Sequence, residues 1–149
     1  MATETAVERE PGSVLPSAIS TTIVRLMRQY TGRGPTTARA TIRDKVVLVM
    51  LEQTLTKGEQ VLVEKGRGEN VLALRREFQE AMREESSEKI AELTGRDVMA
   101  VMSTNHLVPD LAAEIYVLNG PPVLREPTLP DVSQLPNERN LVKGVQLAA

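Results

Sequence analysis

Residues 66–95 read GRGENVLALRREFQEAMREESSEKIAELTG, and the spacing of apolar residues in this stretch decides the fold class. Val71, Leu74, Phe78, Met82, Ile90 and Leu93 recur at three- and four-residue steps. A period of 3.6 residues places them on one face of a helix. Ser86 falls on the same stripe, while Arg75, Arg76, Glu80, Arg83, Glu84 and Glu88 fall opposite. Glu85 precedes Lys89 by four, the favourable order for a helical ion pair worth about 0.2–0.5 kcal/mol. Gly95 suits the stop, because glycine enters the left-handed region without a Cβ clash. About 25 residues at 1.5 Å each make a helix of roughly 37 Å. That is long for a chain of 149 residues, so the helix is expected to bend at residues 85–87 or to overhang the core. An apolar stripe of this kind packs on a core.

Upstream, Ile19, Ile23, Leu26, Met27 and Tyr30 form the apolar face of a first helix over about 16–31, with Pro16 in its first turn and Gly32 at its stop. Gly32-Arg33-Gly34-Pro35 is then a tight turn. Its backbone N–H groups around Arg33 are of the kind that can cradle an anion, although the pattern of a phosphate loop is missing. Ala38, Ala40 and Ile42 alternate with Thr37, Arg39, Thr41 and Arg43, the period of a half-buried strand. Asp44-Lys45 turns the chain, and the apolar run 46–51 reads as a central strand. Thr56-Lys57-Gly58-Glu59 has the form of a capping box. It opens a short helix to about Lys65 that is expected to bury Val61 and Leu62.

Downstream, Val98, Ala100 and Met102 alternate with Met99, Val101 and Ser103 to make a third strand. Val108-Pro109-Asp110-Leu111 carries a type I turn signature. Ala113, Ile115 and Val117 alternate with Glu114, Tyr116 and Leu118 in a fourth strand. The predicted order is α-β-β-α-α-β-β: an α+β, two-layer sandwich in which two hairpins join into one antiparallel four-stranded sheet. The first and central helices cover one face. The other face, lined partly by Thr37, Arg39, Thr41 and Arg43, is expected to stay polar or to form a homodimer contact. This domain spans about 14–119. Residues 1–13 are polar and acidic, of a composition expected to be disordered, and 120–149, with Pro121, Pro122, Pro127, Pro130 and Pro136, reads as a proline-rich tail.

Composition removes several function classes. Eighteen basic against twenty acidic residues offer no global field for nucleic acid or acidic membranes. Tyr30, Phe78 and Tyr116 are the only aromatics, too few for a base-stacking platform. Without cysteine there is no thiolate nucleophile and no cysteine zinc site. The longest apolar run, 46–51, is far short of a membrane span, and MATETAVEREPG lacks the basic and apolar regions of a signal peptide. A cytoplasmic location is expected, without direct membrane insertion.

The chemistry-bearing residues are few. Arg33 with the arginines of the first strand, Arg39 and Arg43, is one candidate ligand site, for a small anion, a metabolite or an acidic partner. His106, the only histidine, sits near Asp110 and Ser103, a superficial nucleophile, base and orienter without a nucleophile-elbow motif. Asp44 and Glu52 have no spacing that fixes a carboxylate pair. No catalytic set, metal set or cofactor motif emerges. The weak ligand-binding candidates are Arg33, Arg39, Arg43, His106 and Asp110.

The ordered set GRGP at 32–35, the apolar strand after Asp44, LTKGEQVLVEKGRGENV at 55–71, REFQEAMR at 76–83, ELTGRDV at 92–98, and MSTNHLVPD with EIYVL through Leu118 resembles the MpsC-like family of small proteins. That family is named for a Na+-translocating, membrane-potential-generating system. The resemblance covers about 15–118. It implies a domain of the layout above and association with a membrane ion- and inorganic-carbon-transport system, and it carries no catalytic residues with it. The function expected is therefore a non-enzymatic accessory or regulatory protein, peripheral at the inner face of the membrane, with an integral membrane transport protein as partner. The alternatives are a small-anion or metabolite binding domain using Arg33 and the basic strand, and a small enzyme centred on His106 and Asp110.

Overall fold

A computed structural model describes residues 14–123, and the expected N-terminal and proline-rich segments lie almost wholly outside that range. The elements run α1 (Val14–Thr31), β1 (Thr37–Arg43), β2 (Val46–Glu52), α2 (Lys57–Glu64), α3 (Gly68–Thr94), β3 (Val98–His106) and β4 (Leu111–Leu118). The strands form one antiparallel sheet in the order β1-β2-β4-β3. This is the α+β layout expected. Strand order, which periodicity left open, puts the two most apolar strands at the centre, where both neighbours satisfy their backbone groups.

The inner face is built in cross-strand rows. Ala40, Val49, Glu114 and Ser103 lie in one row, and Ile42, Val47, Tyr116 and Val101 in the next. Ile19, Ile23, Leu26 and Met27 of α1 and Met82 and Ile90 of α3 close over them, all buried. Burying each large aliphatic side chain is worth about 1.5–3 kcal/mol before chain entropy is counted. β4 turns Glu114, Tyr116 and Leu118 inward and leaves Ala113, Ile115 and Val117 on the outer face. The outer face is therefore mixed: its β1 column is polar, with Thr37, Arg39, Thr41 and Arg43, Thr104 and His106 add to it on β3, and the central columns are largely apolar.

α3 is one helix of 27 residues, about 40 Å at 1.5 Å per residue. Its surplus length overhangs the end of the sheet and carries α2. The buried stripe differs from the one apolar spacing picks out. Val71, Met82 and Ile90 are buried as expected, but Leu74 is 43% exposed while Arg75 is only 2% exposed. α2 shows the same inversion: Val61 and Leu62 are exposed, and Glu59 is buried. The reason is shared, because Arg75 and Glu59 pair with each other between the two helices. Ser86, the polar residue on the stripe, is buried with its hydroxyl donating to Arg83 O at 3.1 Å. Gly95 ends α3 at φ 67°, and a Cβ there would also lie 3.3 Å from Val123 Cβ. The β3–β4 connection, where a type I turn signature stands in the sequence, contains a cis Val108–Pro109 peptide.

Candidate functional site

The densest polar network lies at the overhang, around residues 53–56, which join β2 to α2. The Gln53 N–H donates to the Asp110 backbone carbonyl at 3.0 Å, but Thr54 and Leu55 have no such backbone partners, so side chains satisfy their groups. Asp110 supplies the acceptors. Its Oδ1 takes the Thr54 N–H and Thr54 Oγ1, each at 3.1 Å, and its Oδ2 takes the Leu55 N–H at 2.9 Å. A carboxylate suits this role because it is acceptor-only, with two oxygens available to several donors. Two arginines supply the donors: Arg75 Nη2 donates to Thr54 O at 2.6 Å, and Arg33 Nη1 donates to Leu55 O.

Thr56 then caps α2, its hydroxyl accepting from the Glu59 N–H while Glu59 accepts from the Thr56 N–H. The same Glu59 carboxylate receives Arg75 Nε at 2.7 Å and Nη2 at 2.5 Å, a two-pronged pair. Burial alone would push the Glu59 carboxyl up. Hydrogen bonds from Arg75 and Thr56, and the guanidinium charge, hold it below its ordinary range instead.

Beside this loop opens a crevice of about 460 Å³. Leu55, Val63, Leu107 and Val108 form its apolar wall, and Gln53 and Gln60 its neutral polar groups. Its charges are Arg33, Glu64 and Asp110. A cation set among two carboxylates does not make an anion site. It suits a small ligand carrying both signs of charge.

The structure brings Arg33 and Asp110 of the sequence candidates into this crevice. Arg39 and Arg43 lie on β1 with their side chains on the outer sheet face, outside it. His106 ends β3 on that outer face as well, exposed, its Nδ1 2.7 Å from Pro109 O. The arrangement of Ser103, His106 and Asp110 does not assemble. Ser103 and His106 are an odd number of residues apart on one strand and so face opposite sides. Ser103 donates to Glu114, while the Asp110 carboxylate is engaged by Thr54 and Leu55. Among the described residues no group of His, Cys, Asp and Glu is placed to hold a metal ion.

A second polar cluster escaped the sequence reading. Glu114, 6% exposed at the centre of the sheet, accepts from Ser103 Oγ and from Gln79 Nε2 at 3.2 Å. Gln79 also exchanges hydrogen bonds with Asn105, at 3.0 and 3.2 Å. Burial pushes the Glu114 carboxyl up to about 7, against the hydrogen bonds from Ser103 and Gln79 and the more distant charge of Arg83. The usable signal was Glu114 itself, a carboxylate inside a strand with Ala112 and Tyr116 on its own face. Likewise, Arg75 four residues after Val71 was a stripe position occupied by a charge.

No curated protein and no solved structure matches the chain. A family model does: that of the "Na+-translocating membrane potential-generating system (MpsC)", which matches residues 13–120. The match takes in every helix and strand described above, from α1 to β4. On that span the chain belongs to the MpsC family.

Proposed function

We propose that this protein is a non-catalytic accessory or regulatory component of a membrane Na+ or inorganic-carbon transport, membrane-potential-generating system, held at the inner face of the membrane by an integral membrane partner. The observation that carries this reading is the family match over 13–120. It coincides with the whole α+β domain, so the family description concerns this unit and not an appended segment. No helix among the described residues is long and apolar enough to cross a membrane, so in this reading contact with the transport system runs through a protein partner. The use of Asp110, Arg33, Arg75 and Glu59 to hold one loop supports a binding role over a reactive one. Affinity capture of the tagged full-length protein from lightly crosslinked cells, read by mass spectrometry, is expected to recover an integral membrane transport protein. Recovery of no membrane protein would overturn the proposal.

A second reading rests on the crevice. In it, the domain binds a small zwitterionic metabolite, whose carboxylate Arg33 receives and whose cationic group faces Glu64. Titration calorimetry against a panel of amino-acid-like compounds is expected to give saturable binding that Arg33→Ala weakens and Arg39→Ala leaves unchanged. Equal affinity in Arg33→Ala would remove the site.

A further inference from the structure

The helix-free face of the sheet is a grid with an apolar centre. Its cross-strand rows are Thr37–Glu52–Leu111–His106, Arg39–Met50–Ala113–Thr104, Thr41–Leu48–Ile115–Met102 and Arg43–Val46–Val117–Ala100. The β2 and β4 columns are mostly apolar, and Met102 and Ala100 of β3 extend them. Met50 is 38% exposed and Met102 is 52% exposed, although the domain has a well-formed core on its other side. The charges gather on one edge, where Arg39 and Arg43 of β1 stand. Among the described residues the ion pairs are Arg75–Glu59 and Arg83–Glu80, so neither of these arginines is paired.

We infer that this face is the contact between two copies of the chain, packed sheet on sheet about a twofold axis that runs along the strands. Three points carry it. The first is area. At about 4.8 Å between strands and 3.4 Å per residue, the grid measures roughly 19 Å by 24 Å. Two facing footprints then total about 900 Å² in projection, and the relief of the side chains raises this to about the 1,200 Å² at which specific interfaces begin.

The second point is self-complementarity. The centre of the grid, Leu48, Met50, Ile115 and Ala113, is apolar on both central strands and so is complementary to a copy of itself, and twofold dimers are the commonest assembly for such a patch. Two stacked sheets about 10 Å apart, with strands nearly aligned, are a standard packing.

The third point is charge, which selects the orientation. An axis across the strands would lay β1 on the partner's β1 and press Arg39 and Arg43 of both copies together. Glu52 is the only carboxylate in the grid. An axis along the strands lays β1 over the partner's β3 instead. The two arginine edges then lie apart at opposite rims, where guanidiniums reach water along their stems. In this arrangement Leu48 lies over the partner's Ile115, and Thr41 over the partner's Met102.

Sedimentation equilibrium of the full chain is expected to give twice the 16.4 kDa chain mass, and Met102→Glu to return it to the single-chain mass. Met50→Glu should do the same. Leu74→Glu, at an exposed position on α3, should stay dimeric. Circular dichroism checks that each variant is folded, and both outer-face positions are exposed enough to accept a charge in the monomer. The natural chain has no cysteine, so crosslinking reports orientation directly. A mixture of Thr41→Cys and Met102→Cys proteins is expected to crosslink with a short bismaleimide, and Thr41→Cys alone is not. A folded wild type that sediments as a monomer throughout would overturn the proposal, and so would a dimer that survives Met102→Glu and Met50→Glu. Crosslinking of Thr41→Cys alone would overturn the orientation. A monomer in which a maleimide–succinimide ester reagent joins the Met102→Cys thiol to Lys143 of its own chain would overturn the dimer and assign the face to the segment that carries Lys143.

Discussion

Replacing Glu114 by glutamine should make the protein more stable, and more so as the pH rises. Glu114 is buried with hydrogen-bonding neutral neighbours, Ser103 and Gln79, and has no ion-pair partner among the described residues. The charged group that bears on it is Arg83 on α3, too distant for an ion pair; the neighbouring Tyr116 hydroxyl is buried and neutral, its pKa raised by burial. Raising its carboxyl from 4.5 to about 7 makes the ionised form about 3 kcal/mol costlier in the folded than in the unfolded chain, at 1.36 kcal/mol per pH unit. The folded-state value lies above the unfolded one. The stability tied to the proton is therefore fully present below pH 4.5 and lost as the pH rises through about 7. Glu114→Gln keeps the position neutral throughout. The amide must share its donors with Gln79, which offsets part of the gain. The expected difference between variant and wild type is near zero at pH 4.5 and about 1–3 kcal/mol in favour of the variant at pH 8. Urea denaturation followed by circular dichroism at several pH values measures it, and subtracting the curves cancels every other titrating group, Glu59 included. A difference that does not change with pH, or a variant less stable than wild type at pH 8, would refute the reasoning.

Arg75→Met strands Glu59 without its cation in a buried site and should cost about 3–5 kcal/mol in urea denaturation near pH 7, with Arg75→Met/Glu59→Gln recovering part of the loss. Because the Glu59 carboxyl is held below its ordinary range, the stability it contributes is present above pH 4.5 and lost as the pH falls through its folded-state value; acid denaturation of Arg75→Met should lack that component. Asp110→Ala leaves the Thr54 and Leu55 N–H groups without acceptors and should destabilise the fold by about 2–3 kcal/mol; hydrogen exchange at those two amides should accelerate, while the helix amides of α1 are unaffected relative to the global change. Gly95→Ala forces a Cβ into the left-handed region and against Val123, and should cost about 1 kcal/mol, read as a melting temperature lower by about 4 °C.

Much of the architecture was legible in short-range pattern. The two-residue alternation of 37–43 and 98–103, the 3.6-residue spacing around Ile19–Tyr30 and 71–93, and the capping box at Thr56–Glu59 all depend on neighbours within a turn or a strand. Each appears where the pattern puts it. The candidate site was legible only in part. Arg33 and Asp110 converge on one crevice, but they do so because both grip residues 53–56, a contact between positions more than twenty and more than fifty residues apart in the chain. The separation of Ser103 from His106 followed from strand period alone, and the turn signature at Val108–Leu111 concealed it.

The sequence by itself determined the elements, their order and the α+β class, because helix and strand periodicity and helix capping are local properties of the chain. It also carried the resemblance on which the family rests. Tertiary structure decided which face of each element goes inside. On β4 both alternating sets contain apolar residues, so hydrophobicity could not choose. Packing placed Tyr116 and Leu118 in the core and drew Glu114 in with them, leaving Ile115 and Val117 outside. On α2 and α3 the choice went against hydrophobicity, since Glu59 and Arg75 are buried while Val61, Leu62 and Leu74 are exposed. Glu59 and Arg75 enter the interior because each supplies the other's counter-charge and hydrogen bonds from a different helix, and which element does so is a property of the folded chain alone.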